Sequence, residues 1–419
     1  MDALIKSAKI ISPNSPFHLK TKDILISDGK IEKIEDSISA DCETISIEGL
    51  VVSDGWLDLF SVIREPGHED KDTIAGLLAS AAKGGFTQIL GISGTTPPMD
   101  NKAQVQYAKM NSAGNVVTLL PAGTVTEGQK GEEITEMYDM HLSGAVAFSD
   151  GKRTLSNPEL LKRALLYTKP FGGKIITYCE DKMVANNGMI SEGEVAATLG
   201  LKVRPALAEE IAINRDLFIA EYTDAAIHIT GVSSKKSVEI IKEAKAKGIQ
   251  VTCDVNIANL FFTDEAVTSF EPNFKVLPPL RSEADRQGLI DGLKAGVIDV
   301  VTSGHTPQDI ESKFCEFDNA EFGAVTLEAT FKALYTVLKN DMSIEQIIAL
   351  VSTAPSKVLG LNGKIAVGSE ANLTLFVGSE ATEFKLADVK SGSKNAPFIG
   401  TSLEGNVVGV VNNNQLHLN

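Results

Sequence analysis

The chain has 419 residues, of which 55 are acidic and 39 are basic, giving a formal net charge of −16. Such an excess of negative charge argues against nucleic acid and anionic membrane surfaces as the main partners. No apolar run reaches the length of about 18 residues that a transmembrane helix needs, so we expect no membrane span. The four cysteines form no CxxC pair, which favours reduced thiols and a cytoplasmic location.

The two ends of the chain share a β-strand character. Residues 1–52 read as short strands joined by tight turns, with a hairpin signal at SDGK. A sequence pattern typical of β-strands returns over residues 362–419, beginning with GKIAVGSEANLTLFV. We therefore predict one small β-sandwich domain that is built from 1–52 and 362–419 together.

The middle of the chain, residues 53–361, alternates apolar runs with amphipathic segments, several of which end in the glycine typical of a helix C-terminus. The eight apolar runs are GWLDLFSVI, FTQILGIS, VVTLLPAGTV, GAVAFSD, GKIITYCED, AAIHITGVSS, IQVTCDVNI and IDVVTSGHTP. Buried strands alternating with helices indicate a parallel sheet covered by helices. Eight repeats favour a closed (β/α)8 barrel, an α/β fold, over an open sheet.

Barrel enzymes carry their chemistry at the C-terminal ends of the strands. The polar side chains predicted at these ends include Arg64, Asp150, Tyr178, Asn259 and His305. A guanidinium at the barrel mouth can hold a carboxylate through two hydrogen bonds. The alternative for Arg64 is an ion pair with a nearby carboxylate such as Glu65 or Glu69, and the sequence leaves both possibilities open.

The predicted barrel mouth is a poor metal site. A catalytic zinc takes about three protein ligands, whereas the six histidines of this chain include no HxH or HxxxH pair. Asp150, His228 and His305 could converge, but we expect polar groups that are satisfied inside the barrel. The sequence also lacks GxSxG, the phosphate-loop motif and GxGxxG. We expect no lysine at a strand end.

The order of several segments resembles that of the dihydroorotase family of the amidohydrolase superfamily, in particular its type I branch. The segments are GWLDLFSVIREPGHEDKDTIAGLLASAAKGGFT, FSDGK, TYCEDKMVANNGMISEG, LGLKVRPALAEEIAINRD, KVLPPLRSEADRQGLIDGLKAGVIDVVTSGHTP and GKIAVGSEANLTLF. The resemblance implies an amidohydrolase-type barrel, zinc in the barrel mouth and reversible hydrolysis of the cyclic amide of dihydroorotate. It also implies that Arg64, in its REPG context, contacts the substrate carboxylate.

The chain departs from this family at the metal-binding positions. The family's DxHxH motif is DLFSV here, and the later ligand motifs are altered as well. The positions at which the family places metal ligands are Phe60, Val62, Tyr178, Gly231 and Gly304. Asp150 remains as a vestigial catalytic candidate, although its FSDG motif is one Asp shorter than the family's FSDDG. We therefore expect no bound metal, and a ligand held by Arg64, Tyr178, Asn259 and His305.

Three hypotheses of function follow from the resemblance and its departures. The first is a metal-free, catalytically inactive homologue in pyrimidine biosynthesis, with a structural or regulatory role and aspartate transcarbamoylase as its expected partner. The second is an active amidohydrolase that cleaves dihydroorotate or a related cyclic amide with a non-standard site. The third is a sensor of a small anionic, pyrimidine-like ligand. In each case we expect a homo-oligomer, most simply a dimer.

Overall fold

A computed structural model describes all 419 residues, and its strands fall into two large sheets and two short pairs. The strands are β1 (Ala3–Ile11), β2 (Thr21–Ser27), β3 (Lys30–Glu35), β4 (Glu43–Ile45), β5 (Val51–Asp54), β6 (Trp56–Ile63), β7 (Phe86–Ser93), β8 (Thr118–Gly123), β9 (Ala147–Phe148), β10 (Ile175–Tyr178), β11 (Ile190–Ser191), β12 (Val203–Arg204), β13 (Ile227–Thr230), β14 (Val251–Asn256), β15 (Val300–Thr302), β16 (Leu373–Val377), β17 (Thr382–Glu383), β18 (Ser402–Leu403), β19 (Asn406–Asn412) and β20 (Gln415–Leu418).

Helices follow most of the strands between residues 56 and 302. They are α1 (Ile74–Gly84), α2 (Lys102–Ser112), α3 (Met137–Leu142), α4 (Pro158–Thr168), α5 (Lys182–Ala185), α6 (Glu194–Leu199), α7 (Ala206–Thr223), α8 (Lys235–Ala246), α9 (Ile257–Phe261), α10 (Glu283–Lys294), α11 (Ile310–Lys313), α12 (Leu327–Leu338), α13 (Ile344–Ala349) and α14 (Thr353–Leu359). No helix combines the length and the hydropathy that a membrane-spanning segment requires.

The predicted parallel barrel is confirmed. Its eight strands are joined in the order β6, β7, β8, β9, β10, β13, β14 and β15, and every pair is parallel. The backbone N–H of Val62 closes the barrel by donating to the carbonyl oxygen of His305 at 2.9 Å. All eight residues of β6 are buried, as the continuous apolar run of a strand covered on both faces requires.

The second large sheet takes strands from both ends of the chain, as predicted. It has eight strands, with the order β20, β19, β16, β5, β1, β2, β3 and with β4 paired to β1. The sheet divides at β1, whose first half pairs with β4 and whose second half pairs with β5. Its apolar side chains form a cluster separate from the barrel core. The domain boundaries at residues 52 and 362 stay a prediction.

Candidate functional site

The C-terminal ends of the barrel strands form the candidate site, which we call the barrel mouth. Strand β6 delivers Phe60 and Val62 to this end. Only 1% of Phe60 and 8% of Val62 is exposed, and both belong to an apolar cluster with Leu90 and Ile176. A phenyl ring and an isopropyl group have no lone pair for a metal. These two positions therefore supply packing where the resemblance implies metal ligands.

Asp58, two residues before Phe60, is fully buried and joins the first barrel strand to the last. Its carboxylate accepts hydrogen bonds from the backbone N–H and the hydroxyl of Ser303, both at 2.7 Å, and from the Ser61 hydroxyl. Burial raises the pKa of Asp58, while the hydrogen bonds from Ser303 and Ser61 oppose this rise. Asp58 thus holds the barrel closed beneath its mouth.

The two glycine positions of the implied ligand set have backbone conformations that favour glycine, and Gly304 is also closely covered by a neighbouring side chain. Gly304 has a φ of +64°, and a Cβ atom there would lie 2.7 Å from Cγ of Asn256. Gly231 has a φ of +71°, and its backbone N–H donates to Oδ1 of Asp254 at 2.7 Å. The backbone at both positions favours glycine, and at Gly304 the space for a side chain is occupied by Asn256.

His228 and Asp254 satisfy one another inside the barrel. Nε2 of His228 lies 2.9 Å from Oδ2 of Asp254, and Nδ1 lies 2.8 Å from Oγ1 of Thr252. Both ring nitrogens and both carboxylate oxygens of this pair therefore already have protein partners. The sequence-based expectation of satisfied polar groups describes this pair well.

Asp150 is 5% exposed and is likewise fully engaged. Oδ1 accepts from the backbone N–H groups of Val125 at 2.8 Å and Thr126 at 3.1 Å, and Oδ2 accepts from the Thr126 hydroxyl. Burial raises the pKa of Asp150, and the contacts with Thr126 and Val125 oppose this rise. Its carboxylate fixes the loop after β8.

These residues do not fit a zinc site. No group of three or more His, Cys, Asp or Glu side chains is placed to hold a metal ion. A catalytic zinc requires about three such ligands and an open position. The side chains at the barrel mouth therefore support no metal-dependent step.

Arg64 is half-buried at the barrel mouth and has no ion pair with a carboxylate. Its Nε donates to the carbonyl oxygen of Pro307 at 3.0 Å. Burial lowers the pKa of Arg64 to about 10. The alternative pairing is wrong, because no salt bridge joins Arg64 to Glu65 or Glu69; these carboxylates accept hydrogen bonds from the backbone N–H groups of Ile74 and Gly67.

Tyr178 and Asn259 are buried beside the mouth and already hold protein partners. The Tyr178 hydroxyl lies 3.4 Å from Glu180, a carboxylate that also pairs with Arg204. Burial raises the pKa of Tyr178 well above its ordinary value. Nδ2 of Asn259 donates to the carbonyl oxygen of Pro279 at 2.9 Å. Their assignment as ligand contacts stays a prediction.

His305 is fully buried and is oriented by the start of α12. Its Nδ1 accepts from the backbone N–H groups of Thr326 at 3.2 Å and Leu327 at 3.4 Å. The remaining nitrogen, Nε2, has no hydrogen-bond partner. Burial, with a smaller contribution from the Arg64 charge, lowers the pKa of His305 to about 3. The ring is therefore neutral, with its proton on Nε2. Its predicted ligand contact is untested.

Lys152 corrects the expectation that no lysine reaches the strand ends. It follows β9 by four residues, and its Nζ lies 5.2 Å from the ring centroid of Phe60. The ammonium is half-buried and has no protein hydrogen-bond acceptor. Burial lowers the pKa of Lys152 to about 7, an effect that Asp254 opposes and Arg64 strengthens. The FSDGK motif contains this lysine and could have pointed to it, but the motif places the lysine after the end of the strand and not within it.

Comparisons with known proteins agree with the fold and with the ordered motifs. The family model described as dihydro-orotase-like matches residues 49–237. A protein named dihydroorotase from Ruminiclostridium cellulolyticum is 39% identical over 97% of this chain and 96% of its own length. Another of that name from Caldicellulosiruptor saccharolyticus is 39% identical over 99% of this chain and 97% of its own.

The fold is also shared with solved structures of lower sequence identity. The L-hydantoinase (dihydropyrimidinase) from Arthrobacter aurescens superimposes with a TM-score of 0.87 at 24% identity, covering 99% of this chain and 95% of that one. This likeness shows the barrel with its additional sheet. The full-length similarity to the curated relatives shows that the chain belongs to the dihydroorotase family.

Proposed function

We propose that this chain is a non-catalytic member of the dihydroorotase family that acts in pyrimidine biosynthesis through a structural or regulatory role. The observation that carries the proposal is the residue type at the implied metal-ligand positions. Phe60, Val62, Gly231 and Gly304 have no side-chain atom that can coordinate a metal. A metal in such an enzyme activates water and polarises the amide carbonyl. Side chains that cannot bind the metal cannot direct that chemistry.

The polar groups that remain in the barrel do not replace the lost ligands. Asp150 accepts hydrogen bonds from the loop after β8, and His228 is hydrogen-bonded to Asp254. The names of the relatives favour the alternative of an active hydrolase. That alternative would require Asp150 or Asp254 to give up its present hydrogen bonds before either could hold a metal or activate water.

Zinc binding tests the proposal directly. The purified chain is dialysed against a small excess of zinc and its metal content is measured by elemental analysis, with the dihydroorotase from R. cellulolyticum treated in parallel. We expect well under one zinc per chain. One or more tightly bound zinc ions per chain would contradict the proposal.

We propose aspartate transcarbamoylase as the partner in the structural role, in the cytoplasm, with the chain itself in a homo-oligomer. The support is the family resemblance together with the retention of an entire folded barrel. Size-exclusion chromatography of the mixed proteins measures the association, with each protein alone as the control. A new, earlier-eluting peak that contains both chains is expected, whereas unchanged elution of the mixture argues against this partner.

A second candidate function is the binding of a small anionic ligand without conversion. The observation that favours it is the half-buried Arg64 guanidinium, which has no carboxylate partner in the protein. A rise in melting temperature on addition of orotate measures such binding. No shift at millimolar ligand would count against it.

A further inference from the structure

We infer that two copies of this chain pair about a two-fold axis through the outer face of α7. This face carries four exposed apolar side chains, Leu207, Ile211, Phe218 and Tyr222, which we call the α7 stripe. The inference rests on the homo-oligomer proposed above and adds to it a surface and a register.

Both faces of α7 are apolar, although only the inner face is needed for the barrel. That inner face packs through buried side chains such as Ala212, Ile213 and Leu217. The outer face of a surface helix normally carries polar and charged side chains, as α8 does with Lys236 and Glu239. The α7 stripe instead leaves large apolar groups in water, which marks a contact surface for another molecule.

The four side chains of the stripe lie on one line along the helix. With 3.6 residues per turn, positions 207, 211, 218 and 222 point within an arc of about 60° of one another. Asn214 and Glu221 are the exposed residues of α7 outside the stripe. The stripe is therefore a continuous seam that another helix can cover.

The area of the stripe matches the apolar part of a dimer interface. The exposed fractions are 52% for Leu207, 43% for Ile211, 67% for Phe218 and 79% for Tyr222. At about 200 Å² for a large apolar side chain, the exposed parts together amount to roughly 500 Å². A standard interface buries about 800 Å² on each partner, of which about 65% is apolar in homodimers. The stripe alone can supply the apolar share of such an interface.

The symmetry of the stripe favours a second copy of this chain as the occupant. Leu207 and Tyr222 lie equally far from the midpoint of the stripe, and so do Ile211 and Phe218. A two-fold axis at this midpoint makes the two helices antiparallel, so that each contact occurs twice. Leu207 then faces Tyr222 of the second copy, and Ile211 faces Phe218 of the second copy. Each aromatic ring thereby meets an aliphatic side chain.

The centre of the stripe is polar and is compatible with such an axis. Arg215 faces Asn214 of the second copy in this register, so the two guanidinium groups do not oppose one another. Nη2 of Arg215 also lies 2.7 Å from Oδ1 of Asp216 in its own chain. Nδ2 of Asn214 donates to the carbonyl oxygen of Glu210 at 3.0 Å, which leaves its side-chain oxygen as an acceptor near the axis.

Size-exclusion chromatography with light scattering of the full chain measures the pairing. We expect a molecular mass twice that of one chain at tens of micromolar. A chain that stays monomeric up to its solubility limit would overturn the inference.

An exchange of charges tests the α7 stripe and its register. Ile211→Lys and Phe218→Glu should each raise the dissociation constant of the dimer at least a hundredfold, because each places an unpaired charge in the contact. The double variant should recover at least tenfold of this loss, because the register sets the new lysine against the new glutamate of the second copy. Met110→Lys, at an exposed position of α2, is the matched control and should leave the mass unchanged.

Two outcomes of this exchange would count against the inference. Intact dimers in both single variants would refute the role of α7. Dissociated single variants with no recovery in the double variant would refute the register. The melting temperature of each variant checks its folding.

Disulfide formation gives a second measurement of the register without a change of charge. An equimolar mixture of Ile211→Cys and Phe218→Cys chains should cross-link under mild oxidation to a greater extent than either variant alone. The unmodified chain, with its four cysteines, gives the background. Cross-linking of the mixture no greater than that of the single variants would contradict the antiparallel register.

These outcomes are distinguishable from those of the proposed function. A monomeric chain would remove this surface and leave the non-catalytic assignment intact, since zinc content tests that assignment separately. A monomeric chain that elutes with aspartate transcarbamoylase, and no longer does so as Phe218→Glu, would assign the stripe to that enzyme and overturn the pairing of two copies.

Discussion

At the scale of single residues, the loss of metal donors is matched by changes in what surrounds each position. Phe60 packs beneath the Lys152 ammonium, and Asn256 lies over the backbone of Gly304. A restored aspartate at Gly304 would meet Asn256 and a backbone with a φ of +64°. Other side chains therefore fill the barrel mouth, and restoring one metal ligand there should destabilise the protein.

The first prediction concerns the packing around Gly304. Gly304→Ala should destabilise the protein by roughly 1–3 kcal/mol more than Gly49→Ala, since its new Cβ overpacks the site against Asn256. Gly49 is the matched control because it has a φ of +72° and open space around it, so its substitution reports backbone strain alone. Urea denaturation measures both free energies of unfolding. Equal losses in the two variants would show that Gly304 is not enclosed.

At the scale of secondary-structure elements, the strands were predictable and the side-chain placements in the mouth were less so. Strands such as β6 and β7 are buried on both faces, so they appear in the sequence as continuous apolar runs. The presence of Phe60 and Val62 at metal-ligand positions could also be predicted from the sequence, because residue type alone decides whether a side chain has a lone pair to coordinate a metal.

The path of Lys152 could not be predicted in the same way. Its ammonium reaches Phe60 through a turn after β9 whose geometry depends on Gly151 and on contacts distant in the chain. The orientation of His305 depends similarly on α12, which begins more than twenty residues later. Tertiary contacts of this kind leave no local periodicity in the sequence.

The second prediction concerns His305 as an acceptor for the start of α12. His305→Leu should cost roughly 1–3 kcal/mol at pH 7, since two buried backbone N–H groups lose their partner. His305→Gln keeps an acceptor and should cost less. Thermal and urea unfolding of the two variants provide the comparison, and equal losses would argue against the capping role.

The third prediction is the pH dependence that His305 confers. Its folded-state pKa of about 3 lies below its ordinary value of 6.5, so the unfolded chain binds a proton first as the pH falls. The unmodified protein should therefore lose stability below about pH 6.5, by about 1.4 kcal/mol per pH unit from this group. His305→Gln should lack this part of the slope. His68→Gln is the control and should keep it, because the His68 ring lies in a solvent-exposed contact, with its Nε2 3.0 Å from the Thr96 hydroxyl. Identical slopes for the unmodified protein and His305→Gln would contradict the prediction.

At the scale of the whole molecule, the terminal sheet and the barrel are joined by buried hydrogen bonds. Nδ2 of Asn412, at the end of β19, donates to the carbonyl oxygens of Thr87 and Val116 and lies 3.1 Å from the Thr118 hydroxyl. The backbone N–H of Trp56 donates to the hydroxyl of Thr374. These contacts attach the sheet to the N-terminal end of the barrel, opposite the mouth.

The fourth prediction concerns this attachment. Asn412→Ala should destabilise the protein by roughly 1–3 kcal/mol, because it leaves buried carbonyl groups without a donor. Gln415→Ala is the matched control, since its side-chain amide donates to the carbonyl oxygen of Gly114 in a solvent-exposed hydrogen bond. Its effect should stay within about 0.5 kcal/mol. Differential scanning calorimetry measures both, and equal effects would argue against a special role for Asn412.

A member of the dihydroorotase family that lacks metal ligands at its barrel mouth should not hydrolyse dihydroorotate, and a turnover assay measures whether it does. The purified chain is incubated with dihydroorotate and zinc, in both reaction directions, beside the dihydroorotase from R. cellulolyticum. We expect no rate above that of the protein-free solution, as the proposed lack of activity requires, while the control enzyme turns over. A saturable, zinc-dependent rate that rises in proportion to the concentration of this chain would contradict it.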